Sequence, residues 1–130
     1  MNFVENAPIN AKQIADLREA VGWNRMESSY ENDQMTSYFH ISVYDENKLV
    51  GIIDTVSNGI TDAYIQDLMV HPDYQGKGIG TELMNRTIAY LKVRKIYMIS
   101  VIFDESLLPF YKRFGFFTMF AGQMQTFESD

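Results

Sequence analysis

The spacing of apolar side chains changes character along this chain. Ile14, Leu17 and Val21 fall on one face at helical spacing. Asn10 stands ahead of them as a capping residue, Gln13 follows three positions on as in a capping box, and Gly22 supplies a stop. Arg25 to Thr36 is polar, with Met26, Tyr30 and Met35 scattered through it, and reads as a short helix among loops. The period then shortens. Tyr38 to Tyr44 is rich in β-formers, Asp45 to Lys48 forms a turn, and Leu49 to Ser57 is the next strand. Asn58-Gly59 is a hairpin signal before a third strand at Thr61 to Val70, which Pro72 terminates because it cannot extend a central ladder.

Helical spacing returns after the glycines at 76, 78 and 80, with Ile79, Leu83, Met84, Thr87, Ile88 and Leu91 on one stripe. Ile96 to Phe103 is a continuous apolar run, as expected of a buried strand reached by a helical crossover. Leu107 to Phe114 reads as a short helix with Pro109 in its first turn, Gly115 ends it, and Phe116 to Phe127 predicts one or two last strands. No repeat or linker interrupts the order. It predicts a single α+β domain over residues 1–130: a mixed central β-sheet that begins as an antiparallel meander, flanked by helices.

Composition narrows the chemistry. Apolar residues at 46% and aromatics at 14% suit a packed core rather than a disordered chain. The absence of cysteine excludes disulfides, thiolate metal sites and cysteine nucleophiles, and fits a reducing, cytoplasmic setting. His40 and His71 stand apart with no ligand spacing around them, so no metal site is expected. Met1 to Pro8 carries Glu5 and lacks the basic and apolar blocks of a signal peptide, and no apolar run is long enough to span a membrane. The net charge of −6 opposes binding to nucleic acid. It would draw in small cationic partners, or serve solubility alone.

The segment Gln75-Gly76-Lys77-Gly78-Ile79-Gly80 carries the chemical signal. Alternate glycines between a strand and a helix let backbone amides converge on the positive end of that helix, a site suited to a pyrophosphate. A Walker loop would need Ser or Thr after Lys77, and a Rossmann fingerprint would need two residues between its last two glycines. Neither fits, and a purely structural turn is the alternative.

The stretch Ala63 to Gly80, centred on Gln75-Gly76-Lys77-Gly78-Ile79-Gly80, resembles motif A of the GNAT acetyltransferases, whose core is Arg/Gln-x-x-Gly-x-Gly/Ala. A second family signature is matched by Phe110-Tyr111-Lys112-Arg113-Phe114-Gly115-Phe116. The resemblance covers nearly the whole chain and implies a GNAT fold using acetyl-CoA, which becomes coenzyme A. It implies that the backbone of Leu68, Met69 and Val70 pairs with the pantetheine arm in a gap between splayed strands. Amides of Gln75, Gly76, Lys77, Gly78, Ile79 and Gly80 would hold the pyrophosphate. Tyr111 matches the residue that protonates the departing thiolate; packing at a helix end is its alternative role.

Some relatives place a glutamate where this chain has Gln66, which cannot act as a base. Asp67 is then the candidate base, or a structural carboxylate paired to a nearby amide or cation. Asp104 and Leu107 stand where the family often has asparagine and alanine. Trp23, Tyr30 and Tyr38 are candidates for the acceptor pocket. The acceptor class is a primary amine of a small molecule or a protein, with a homodimer left open. The competing functions are a non-catalytic acyl-CoA sensor and an interaction domain.

Overall fold

A computed structural model describes residues 1–130. Five strands form one sheet in the order β1 (Asn2–Glu5), β2 (Phe39–Asp45), β3 (Lys48–Ser57), β4 (Asp62–Val70) and β5 (Met98–Val101). The first four run antiparallel, and β5 joins β4 in parallel through a helical crossover. The mixed sheet with an antiparallel meander agrees with the sequence pattern. The strand β1 is an addition that pattern did not predict. Its four residues pair with β2 over Asn2↔Tyr44 to Glu5↔Ile41, and so short a segment leaves almost no periodicity to read.

Helix α1 (Ala11–Ala20) begins where Asn10 accepts from the Gln13 amide at 3.1 Å. The reciprocal half of a capping box is not made, because Gln13 Nε2 donates instead to the Asn47 carbonyl at 2.8 Å. This helix covers one face of the sheet, packing Ile14 and Leu17 on Leu49, Ile52 and Met69. Helix α2 (Glu27–Tyr30) is a single turn beyond it. Helix α3 (Ile79–Val93) covers the opposite face, with Ile79, Leu83 and Met84 against Ile41, Val43, Val50, Ile53 and Ile65. Gly51 permits this approach: a Cβ there would lie 3.4 Å from Ile79 Cγ2 and 3.5 Å from Val43 Cβ. Helix α4 (Leu108–Lys112) follows β5, with Pro109 in its first turn as expected. No helix is long and apolar enough to cross a membrane.

Two expectations are corrected. The apolar run from Ile96 to Phe103 forms only the four-residue edge strand β5; Ile96 is buried, but Ser100 is exposed and the rest are half-buried or open. Edge position, not burial on both faces, explains its brevity. Phe116 to Phe127 forms no strand. The segment crosses from Phe116, packed against Tyr111, to a terminus where the Asp130 carbonyl accepts from the Met26 amide. It therefore never runs along β5, and Phe120 and Met124 project into solvent. β-Propensity expresses packing on a neighbouring strand, so it yields no strand without one.

Candidate active site

The site grows from an irregularity in β4. Asp54 of β3 pairs with Asp67, but the next residue, Thr55, pairs with Ile65, leaving Gln66 as an extra residue in a bulge. Pairing with β5 covers only Asp62↔Met98 to Ile65↔Val101. Beyond the bulge β4 continues through Gln66–Val70 with no β5 partner, so one edge of its backbone is free to bond a ligand. The gap expected between these two strands is present.

A cleft of about 590 Å³ opens there, lined by Leu68, Met69 and Val70 on one side and by Gln75, Gly76, Gly78, Ile79 and Gly80 on the other. Gly78 is the N-cap of α3 with φ +84°, and Gly76 has φ +78°. A Cβ at either position would meet nothing within 4 Å. The loop thus presents open space over the positive end of a fifteen-residue helix. Gly80 serves differently: a Cβ there would lie 3.5 Å from the Phe110 ring, so its small size seats α4 against α3. These features fit a pyrophosphate-bearing ligand. Lys77 is not part of the lining; its Nζ lies over the Tyr74 ring, 5.3 Å from the centroid. Gln75 folds its side chain back, donating from Nε2 to the Val70 carbonyl at 2.9 Å.

Tyr111 borders the same cleft. It is stacked on Phe103 at 4.4 Å between centroids and edge-packed by Phe110 and Phe116. Burial pushes its phenol above the ordinary tyrosine range, and nearby Tyr64 adds to this. Arg113, which the sequence reading left without a role, stands at the rim and donates from Nη2 to Thr81 Oγ1 at 2.9 Å. Its signal was available: it is a cation two residues after Tyr111, inside the second signature.

Asp67 lies on the α1 face of the sheet, beside a buried arginine. Arg18, 8% exposed, places Nη1 4.0 Å from Asp67 Oδ2 and donates to the Tyr30 hydroxyl at 3.2 Å. Tyr30 in turn donates to Asp67 at 3.4 Å. Asn24 fixes the guanidinium from the far side through its carbonyl (2.6 Å) and Oδ1 (2.9 Å). Burial raises the Asp67 carboxyl above its usual range; Arg18 opposes the shift, Asp54 reinforces it, and the Tyr30 hydroxyl opposes it.

The other predicted residues divide. Trp23 lines the cleft mouth, and Tyr30 sits at Asp67. Tyr38 is not brought to the site. It packs edge-on to Tyr90, at 6.3 Å, and against Gly59, toward α3 rather than α1. Asp104 is a local cap, accepting from the Ser106 amide at 2.9 Å, whereas Leu107 does border the cleft.

Residues 9–116 match the family model described as the acetyltransferase (GNAT) family. The chain belongs to that family. It is 31% identical over 121 residues to an uncharacterised N-acetyltransferase, ycf52, of Gracilaria tenuistipitata var. liui, covering 87% of this chain and 65% of that protein. The chain therefore spans less than two thirds of that relative. Among solved structures it resembles a Staphylococcus aureus protein of unknown function, with TM-score 0.83 at 22% identity over 98% of this chain and all of the other. It also resembles an aminoglycoside acetyltransferase from a soil metagenome, with TM-score 0.74 at 20% identity over 98% and 96% of the two chains. At these identities the likeness is one of fold.

Proposed function

We propose that this GNAT domain transfers an acetyl group from acetyl-CoA to a primary amine of a small molecule or protein, by direct attack of the amine on the thioester. The carrying observation is that the glycine loop, the unpaired stretch of β4 and Tyr111 all border one cleft. The loop amides and the α3 N-terminus would hold the pyrophosphate, with Arg113 at the rim adding positive charge. The free edge at Leu68 to Val70 would bond the pantetheine arm. When bound, acetyl-CoA supplies the activated acyl carbon.

The chain's own residues then manage two protons. Tyr111 holds its proton at neutral pH, and burial tightens that hold. A phenol of reference pKa about 10 can still donate to a thiolate whose acid titrates near about 8.5 once that charge develops beside it. The attacking amine, of reference pKa about 10.4, must first lose a proton. Asp67 is the candidate to accept it, supported by burial, which raises its carboxyl above the usual range.

The pairing of Asp67 with Arg18 favours a second reading, an acyl-CoA sensor that binds without turnover. Thiol release measured across a panel of amines separates the two. Amine-dependent release supports transfer; CoA binding with no release for any amine would replace the enzyme with the sensor.

A further inference from the structure

A second cavity, of about 120 Å³, lies on the α1 face of the sheet. Its walls include Tyr30, Met35, Ser37, His40, Ile52 and Asp54, none of which lines the large cleft. Two features tie it to the reacting region. Tyr30 forms one wall while its hydroxyl donates to Asp67. Asp54 and Asp67 are directly opposed in the β3–β4 register, so their Cβ atoms stand roughly 5 Å apart on one face.

Two opposed carboxylates repel, and only one is compensated. Arg18 serves Asp67, but no arginine or lysine forms an ion pair with Asp54. Asp54 is held by neutral donors, the Ser37 hydroxyl and the Thr55 amide at 2.8 Å. His40 reaches it only through Ser37, with Nδ1 3.2 Å from Ser37 Oγ and Nε2 2.7 Å from the Ala7 carbonyl. The remaining walls are mostly apolar, the Met35 thioether, the Ile9, Ile14 and Ile52 side chains and the Tyr30 ring, with Thr36 beside them. Such a chamber suits an alkyl chain carrying an ammonium group: methylenes against Met35, Ile52 and Tyr30, and the charge against Asp54.

We infer that this cavity is the subsite for a second positive charge on the acceptor, which makes short α,ω-diamines the preferred acceptor class and Asp54 the specificity-determining residue. The fate of the first amine rests on the acetyltransferase reading; binding of the second does not.

Calorimetric titration of CoA-saturated protein with diaminobutane and with butylamine at neutral pH tests this directly. The parent should bind the diamine roughly tenfold or more tighter, the worth of one charge-assisted contact. Asp54→Asn should remove the diamine's advantage and bring the two ligands to equal affinity. Met35→Lys, at an open position, should also abolish the diamine preference, because it places a cation in the cavity while Asp54 itself is kept. Equal affinities in the parent, no diamine binding, or a preference that survives Asp54→Asn would overturn the subsite. Diamine binding that obeys these rules without thiol release would instead retire the transferase reading alone.

Discussion

At the scale of single residues, environment sets what each ionisable group can do. Tyr111 is enclosed by three phenylalanines yet borders the cleft, a combination that suits a retained proton with one path outward. Tyr111→Phe should lower turnover roughly 10²-fold with CoA affinity nearly unchanged, and equal rates would reduce the residue to packing. Asp67→Asn should cut the rate at neutral pH, with added alkali restoring little; the parent's rate at every pH would remove the aspartate from the chemistry. Asp54 offers a stability readout. Burial raises its carboxyl, so the fold disfavours its charged form, and the resulting cost is present at neutral pH and absent once the group is protonated. Asp54→Asn should therefore melt higher than the parent at neutral pH, and the gain should vanish as pH falls through about 4, the reference carboxylate range. A gain that persists in acid would mean the charge is not its source. The sequence showed Asp67 and Tyr111 as candidates because both fall inside recognisable motifs. It could not show Arg18 beside Asp67, because forty-eight intervening positions separate them and only folding brings them together.

At the scale of elements, the site depends on a single inserted residue and a single missing side chain. The bulge at Gln66 turns the remainder of β4 away from β5, and Gly80 lets Phe110 lie on the first turn of α3. Gly80→Leu should displace α4 and with it Tyr111, lowering the melting temperature by several degrees and weakening CoA binding together, because overpacking at this junction costs about 1–3 kcal/mol. Undiminished CoA affinity would show that α4 is not positioned through this contact. The glycine loop and α3 were legible from glycine spacing and a sustained apolar stripe. The last strands were not: Phe117, Thr118 and Phe120 carry strong β-propensity, but propensity does not name a partner, and the segment leaves the sheet. Limited proteolysis should cut first between residues 117 and 127, where the backbone is irregular and unpaired.

At the scale of the whole molecule, the sheet separates two tasks. Its α3 face packs the main core and seats the loop that would receive the cofactor. Its α1 face carries the Arg18–Asp67 pair and the small cavity beside it. The cleft itself reaches both sides, since Val21, Trp23 and Met69 from the α1 side line it together with the glycine loop. The family match and this division point to the same claim, that the chain takes acetyl-CoA in the cleft. Thermal unfolding of the protein with and without CoA tests it most directly. At a hundredfold excess over its dissociation constant a ligand bound only by the native state contributes about 2.7 kcal/mol, a rise of several degrees for a chain of this size. Gly78→Glu, which forces a side chain and a negative charge into the loop at φ +84°, should abolish that rise while the protein still unfolds cooperatively. A melting temperature unmoved by saturating CoA in the parent protein would contradict the account.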